Sequence, residues 1–314
     1  MSTSNPAVTA AAPVSKPRTR RKLHYKAMVT GILFLIPSVI LITFAVFIPT
    51  VWNLLLSFQN WDGYLERSWV GFANYKEVFH DSTTRESLYH SVELAVVSTL
   101  FALVLGVALA AFVYKLGRKE GALYRLFIYM PAMLPLAIIG LLFAFIYNPE
   151  MGLINQFLRL VGGDSLTQAW LENQHTVMAA IIVVGIWRIA GLTMMLCFAA
   201  MQGIPTSLFE SCRLDGAGYG RQFFSIVLPL IRPIIQLSAV FTLVMQFKTY
   251  DLVFVMTGGG PGTISKTIPL QMIDTAFNYN EYGLSAAMGF TLTVVVAGFI
   301  WIANRVLGGE SYEY

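Results

Sequence analysis

The sequence predicts an all-α membrane protein with six transmembrane helices. Of its 314 residues, 56% are hydrophobic and only 12% are charged, about half the charged fraction of an ordinary soluble domain. Six stretches approach the roughly 20 apolar residues that a helix needs to cross a bilayer. They are continuously apolar, whereas the strands of a membrane barrel alternate residue by residue. A helical bundle in contact with membrane lipid is therefore expected.

The six predicted spans contain few charges, and their prolines are compatible with a bundle. Pro131 and Pro135 interrupt the third span, and neighbouring helices can satisfy the backbone groups that a proline leaves unpaired in a membrane. Arg188 lies within the fourth span, and Lys248 and Asp251 lie near the end of the fifth. The spans are residues 28–48, 91–114, 123–147, 177–200, 230–255 and 284–306.

Four segments outside the spans complete the predicted organisation. Residues 1–26 are expected to be a disordered basic tail, and residues 307–314 a second tail. A long outer loop covers residues 49–90, and a long inner loop covers residues 201–229. The first apolar run exceeds the roughly 7–15 residues of a signal-peptide core and ends in no A-x-A site, so a retained anchor helix is predicted.

The distribution of lysine and arginine predicts the orientation. With the N-terminus inside, the inner segments hold fourteen basic residues and the outer segments hold five. Cytoplasmic loops of membrane proteins carry such an excess of basic residues. Both termini are therefore expected in the cytoplasm.

Composition also excludes several classes of function. The net charge of +4 is too small for a nucleic-acid footprint. Two cysteines and four scattered histidines provide neither a disulfide framework nor a recognisable metal site. No nucleophile and base stand in a catalytic arrangement, so neither a metal site nor an enzyme active site is predicted.

The inner loop at residues 201–229 predicts two short helices joined by glycines. Pro205 followed by Thr206 is a helix-start signal, and the segment 215–218 (DGAG) breaks the helix. Helical spacing places Leu208, Phe209 and Cys212 on one face, with Glu210 and Arg213 on another. The apolar face fits either packing on the bundle and lipid headgroups or docking of a cytoplasmic partner.

The same loop resembles the E-A-A-x3-G-x9-I-x-L-P loop of ABC importer permeases. Its matching positions are Glu210, Ser211, Cys212, Gly216, Ile226, Leu228 and Pro229, with Asp215 in the usual surround. Ser211 and Cys212 replace the two alanines by other small residues. In that family the loop is a coupling helix that sits in a cleft of the ATPase subunit. The resemblance implies a type I ABC importer permease fold with its core at about residues 90–305. It also implies that Glu210 pairs with a basic group of the ATPase and that Gly216 forms the joint between the helices.

Further segments resemble the carbohydrate-uptake permeases within this family. They are residues 69–75 (WVGFANY), 147–155 (YNPEMGLIN), 247–252 (FKTYDL) and 257–262 (TGGGPG). The resemblance implies a sugar or oligosaccharide delivered by an extracytoplasmic solute-binding protein. It further implies a bacterial cytoplasmic membrane, a second permease subunit and two ATPase copies. ATP with Mg would be bound by those ATPases, and no cofactor by this chain.

The chain lacks a nucleotide site of its own. Residues 258–267 (GGGPGTISKT) superficially resemble a phosphate-binding loop, but Ser265 stands where the motif requires glycine before Lys266. This segment is expected to be a flexible outer loop that contacts a solute-binding protein.

Polar residues within the spans predict a solute pathway, because charges inside a membrane usually face a cavity or one another. The candidates are Trp187, Arg188, Lys248, Tyr250 and Asp251. In the alternative interpretation, Lys248 and Asp251 pair with each other and only stabilise the bundle.

Three other functions remain open at this point. The first is a permease for another polar solute, such as a glycerol phosphate or an amino acid. The second is an ion-coupled secondary carrier, which would show repeats with broken helices at the membrane midplane, and the sequence shows no sign of them. The third is a membrane scaffold without a transport role.

Overall fold

The computed structural model describes residues 20–64 and 66–308, and the side chains from residue 28 onward. The chain divides into two compact units between Asn53 and Leu54. The first predicted span begins with helix α1 (Arg20–Ile42), continues through a π-helical turn (Thr43–Phe47) and ends with α2 (Ile48–Leu56).

Two predictions about this first span are wrong. The helix already includes residues 20–26, which were assigned to the tail; residues 1–19 of that tail lie outside the described residues. The helix also continues past Pro49 to Leu56, well beyond residue 48. The N–H of Ile48 bonds to the carbonyl of Thr43, so the widened π turn changes the bonding pattern just before Pro49 and accommodates its missing donor.

The second unit contains the remaining elements, which are almost all helical. Two very short strands, β1 (Gln59–Asn60) and β2 (Ser68–Trp69), form an antiparallel ladder that the sequence does not predict. The helices are α3 (Ala73–His80), α4 (Ser82–Tyr114), α5 (Arg118–Met133), α6 (Leu136–Ile146), α7 (Leu153–Leu160), α8 (Val177–Gln202), α9 (Thr206–Leu214), α10 (Tyr219–Gln222), α11 (Leu228–Leu230), α12 (Arg232–Phe247), α13 (Asp251–Thr257), α14 (Ile268–Ile273) and α15 (Tyr282–Leu307). Residues 309–314 of the predicted C-terminal tail lie outside the described residues.

The described residues contain four single helices that can span a membrane and two bent pairs that could each form another span. The α5–α6 pair bends by 98°, and the pair Tyr219–Leu230 with Arg232–Phe247 bends by 64°. Leu134, directly before Pro135, is extended (φ −79°, ψ 142°), as expected for a residue that precedes proline. The fifth predicted span ends as a helix at Phe247 and resumes at Asp251. Broken helices are thus present among the described residues, although the sequence shows no sign of them.

The predicted outer loop at residues 49–90 is much shorter in the structure. Helix α4 begins at Ser82, nine residues before the predicted second span, because Asp81 caps it. The carboxylate of Asp81 accepts hydrogen bonds from the backbone N–H (2.8 Å) and hydroxyl (2.7 Å) of Thr84. Such N-caps start helices in polar sequence. The predicted span begins later because hydropathy detects only the apolar part of the helix.

Close helix packing around α8 fixes the centre of the bundle. A Cβ placed on Gly106 of α4 would lie 2.6 Å from the Cβ of Thr193 on α8. A Cβ on Gly191 would collide with the backbone carbonyl of Ile128 on α5. Small residues permit this approach between membrane helices, so α4, α5 and α8 are tightly packed against one another.

Residues 258–267, expected to be a flexible loop, form a compact hydrogen-bonded turn. Ser265 is fully buried, and its hydroxyl bonds to the carbonyl of Gly260 (2.6 Å) and to the hydroxyl of Thr257 (2.8 Å). Lys266 forms an ion pair with Asp274. The flexibility prediction is therefore wrong, because the side chains of Thr257 and Ser265 form hydrogen bonds to each other and to the backbone of Gly259 and Gly260.

Candidate functional site

The segment between α8 and α12, here called the coupling segment (residues 203–231), begins with the short helix α9. Pro205 is the N-cap of α9 and has an extended backbone (φ −58°, ψ 132°). This extended residue separates α9 from the end of α8. Gly216 ends α9 in the left-handed conformation (φ +75°). The N–H of Gly216 bonds to the carbonyl of Arg213, and the N–H of Ala217 to that of Cys212. This pair of bonds is a Schellman motif, for which glycine is the usual residue.

Helix α9 has one face against the bundle and one face open. Leu208 and Phe209 pack on a core cluster that includes Met201 and Val227. The ring of Phe209 also lies 6.4 Å from that of Tyr114, the last residue of α4. The half-buried face therefore contacts the ends of α4 and α8 and the approach to α12.

Helix α9 carries three of the residues that matched the importer loop, and two of them lie on its open face. Glu210 and Ser211 are exposed, whereas Cys212 is half-buried. Glu210 forms no ion pair with Arg213 in the described part of the chain, so its carboxylate is available to another molecule. Leu214 is 90% exposed, which leaves an apolar side chain at the end of this face.

The second half of the coupling segment is anchored to the end of α4. The hydroxyl of Tyr219 donates to the carbonyl of Ala111 at 2.9 Å. The ammonium of Lys115 lies 3.5 Å from the centre of the Tyr219 ring, a cation–π contact. Sequence reasoning did not find these anchors, although an aromatic residue opening a helix after a glycine break was a visible signal.

The helical path from Tyr219 leads through a π turn (Phe223–Val227) into α11. Ile226 and Leu228 are half-buried and Pro229 is exposed. Asp215, at the end of α9, is also exposed. A cavity of 260 Å³ separates α9 from this path and is lined by Glu210, Arg213, Phe209, Tyr219, Gln222 and Tyr114 among others.

The predicted pathway residues form two groups. Trp187 is 39% exposed and packs edge to face on Phe143 at 5.2 Å. Arg188 is buried, and its Nε has no hydrogen-bond partner among the described residues. A buried guanidinium nitrogen without a partner is unfavourable, and a charged residue inside a membrane span usually faces a cavity or a partner.

The other group surrounds the break between α12 and α13. Lys248 and Asp251 are exposed, and within the described residues they form no ion pair with each other. The alternative interpretation, in which this pair stabilises the bundle, is therefore wrong. Tyr250 stacks on Phe254 with ring centres 5.3 Å apart and planes 14° from parallel. This break presents a charged and aromatic surface.

Residues 102–307 match the family described as the binding-protein-dependent transport system inner membrane component. The chain belongs to this family. Its members are ABC importer permeases, which are multi-pass membrane subunits for transport and not enzymes.

The chain is similar to other permeases over most of its length. The probable ABC transporter permease protein YurN of Bacillus subtilis is 36% identical over 265 residues, which cover 84% of this chain and 90% of YurN. The diacetylchitobiose uptake system permease protein NgcF of Streptomyces coelicolor is 31% identical over 313 residues, 95% of this chain and 88% of NgcF. Among solved structures, a bacterial ABC transporter involved in the import of the acidic polysaccharide alginate contains a chain with a TM-score of 0.78. The two sequences are 21% identical, and the match covers 91% of this permease and 98% of the chain from the alginate transporter. The fold of this permease is therefore that of an ABC importer subunit.

Proposed function

We propose that this permease imports a sugar or oligosaccharide and that α9 transmits the action of an ATPase to the spans. The observation that carries the proposal is the exposed face of α9, with Glu210 unpaired within the described chain and Gly216 at the joint. The name of NgcF, a permease for diacetylchitobiose uptake, supports a carbohydrate substrate.

The proposed assembly contains two ATPase copies that bind ATP with Mg, a second permease subunit and an extracytoplasmic solute-binding protein. The excess of basic residues in the predicted inner segments supports a cytoplasmic location for the coupling segment and for both termini. The membrane would be the bacterial cytoplasmic membrane.

The contacts of α9 explain how movement reaches the pathway. Its buried face touches the ends of α4 and α8 and the approach to α12, so a displaced α9 acts on three helices together. ATP can shift the balance of inward-open and outward-open states only through contacts that differ between them. An ATPase cleft that grips Glu210 and its neighbours Ser211 and Cys212 would provide those contacts.

The solute would pass Trp187 and Arg188 on α8 and Lys248, Tyr250 and Asp251 at the α12–α13 break. Aromatic faces suit the apolar faces of sugar rings, and charged groups suit sugar hydroxyls. The stacked Tyr250 and Phe254 pair supports this pathway.

The test is ATP-driven uptake by the complete complex reconstituted in liposomes, with a panel of sugars, glycerol phosphates and amino acids. Glu210→Lys and Gly216→Asp should abolish uptake and leave membrane insertion unchanged. Glu120→Lys is the matched charge reversal at an exposed position outside the coupling segment. Gly218→Asp is the matched glycine control, since Gly218 is equally open but has φ −67°, at a helix N-cap where aspartate is favoured.

Normal uptake by Glu210→Lys and Gly216→Asp would refute the coupling role. Uptake that continues after ATP depletion would refute the importer and support an ion-coupled carrier. Uptake of an amino acid or a glycerol phosphate in place of every sugar would refute the carbohydrate assignment alone.

A further inference from the structure

A second large cavity lies outside the coupling segment. It is lined by residues of α3, the start of α4, the segment 263–281 and the start of α15. Its volume is 670 Å³. We call it the acidic pocket, because three carboxylates line it: Glu77, Asp81 and Glu281. Glu77 and Asp81 are neighbours in the sequence, and the fold brings Glu281, about two hundred residues later, to the same cavity.

The described lining residues give the pocket a net negative charge, with three carboxylates and one basic residue. Lys266 is the basic residue among its described lining residues, and its ammonium is already paired with Asp274. Burial opposes ionisation of Asp81, but hydrogen bonds from Thr84 and from the backbone of Thr83, together with the positive charge of Arg85, outweigh it and lower the pKa of this carboxyl group. Asp81 is therefore ionised at neutral pH.

An unpaired amide provides an independent sign of a ligand. Gln271 lines the pocket and is only 7% exposed, and its Oε1 accepts no hydrogen bond from any described residue. Buried polar atoms are rarely left without a partner, because desolvation without a hydrogen bond is unfavourable by about 1–3 kcal/mol. A molecule that brings hydrogen-bond donors into the pocket would satisfy it.

The arrangement of the acceptors selects the kind of donor. No three His, Cys, Asp or Glu side chains in the described chain converge closely enough to hold a metal ion. The carboxylates instead surround a cavity large enough for a whole side chain. Arginine has a permanent positive charge and five N–H donors in a planar fork, so it can reach several separated acceptors at once.

We propose that the acidic pocket receives an arginine side chain of the solute-binding protein that delivers the substrate. This inference rests on the proposed function, which places the pocket on the extracytoplasmic face and makes that protein the docking partner. The predicted outer segments contain most of the acidic residues of the chain, so the whole face is suited to a basic partner surface.

The test uses the complete complex in nanodiscs and, as the probe, the purified solute-binding protein that supports uptake by the wild type. ATP hydrolysis is measured against the concentration of this protein. The double variant Glu77→Gln with Glu281→Gln should raise the half-saturating concentration about three- to tenfold and leave the maximal rate unchanged. Both carboxylates are exposed in the permease alone, so neutralising them should not prevent folding. Asp164→Asn, an exposed carboxylate outside the pocket, is the matched control and should change nothing.

Two further measurements identify the donor. Added salt should raise the half-saturating concentration of the wild type more than that of the double variant, since screening weakens ion pairs. Glu281→Arg should weaken docking further, and replacement of one arginine of the solute-binding protein by glutamate should restore it.

The inference is overturned if the double variant behaves like Asp164→Asn, or if only the maximal rate falls. It is also overturned if no arginine replacement restores Glu281→Arg. Stimulation of the wild type by the solute-binding protein separates these results from failure of the proposed function, in which the wild type itself would show none.

Discussion

Replacing Asn155 by alanine should open the segment between α6 and α8 while leaving the bundle folded. Asn155 lies on α7 and is 1% exposed. Its amide donates to the carbonyls of Pro149 (3.0 Å) and Gln168 (2.8 Å). Its Oδ1 accepts the backbone N–H of Gln168 (3.3 Å) and the indole N–H of Trp170 (2.8 Å). One side chain thus joins both ends of this segment.

The magnitude follows from those four bonds. Each is expected to contribute about 0.5–1.5 kcal/mol, and alanine leaves four polar groups without their partner. With water replacing part of the loss, the local stability should fall by about 3 kcal/mol. Since 1.4 kcal/mol corresponds to a factor of ten, the population of the open segment should rise by roughly a hundredfold.

Hydrogen exchange of the permease in nanodiscs, followed by mass spectrometry of peptides from residues 147–176, measures this population. Gln156→Ala is the control on the same helix, because Gln156 makes a single exposed bond to the carbonyl of Met151 (3.1 Å). Gln156→Ala should change exchange by less than about threefold. Equal exchange in the two variants would show that Asn155 does not hold the segment together.

Two other predictions concern the bundle and the start of α4. Gly106→Val should lower the stability of the purified permease by about 1–3 kcal/mol or more, because its Cβ would lie 2.6 Å from that of Thr193. Gly298→Ala should not lower it, since no described atom lies within 4 Å of the added Cβ. Equal thermal stability of the two variants would contradict the close packing of α4 and α8. Asp81→Asn should remove about 0.5 kcal/mol at pH 7. The pKa of Asp81 in the folded protein is lowered from its ordinary value of 3.8. The difference in unfolding temperature between wild type and Asp81→Asn should therefore persist above pH 3.8 and disappear as the pH falls through the pKa of the folded state. A difference that does not depend on pH would refute the role of the Asp81 charge.

The sequence predicts the spans far better than their ends. Hydropathy finds residues 177–200 almost as the structure has them, at Val177–Gln202. It misses the start of α4 by nine residues, because capping by Asp81 acts in polar sequence outside the membrane window. It also treats the third span as one helix, although Pro135 turns the chain by 98° between α5 and α6. Hydropathy measures how favourably a segment transfers into lipid, and it contains no information about a bend in the helix axis.

The coupling segment was predictable because its parts are local. A proline start, an amphipathic turn and a glycine stop all act within about ten residues. The acidic pocket was not predictable, because Glu77, Gln271 and Glu281 become neighbours only through the packing of α3, α14 and α15. The function of Asn155 was hidden for the same reason: its partners include Trp170, fifteen residues away.

The packing of the bundle also limits which parts can move when α9 is displaced. Gly106 against Thr193, and Gly191 against Ile128, leave no space for α8 to slide along α4 or α5. Changes of direction are instead available where the helical bonding is already interrupted, at Leu134 and at the break that follows Phe247. Because packed interfaces resist gradual deformation, α4, α5 and α8 should move as one body. The polar and aromatic groups at residues 248–251 would then change their distance from Arg188, which lies on that body. The proposed pathway residues are thus divided between this body, which carries Trp187 and Arg188, and the break that follows Phe247.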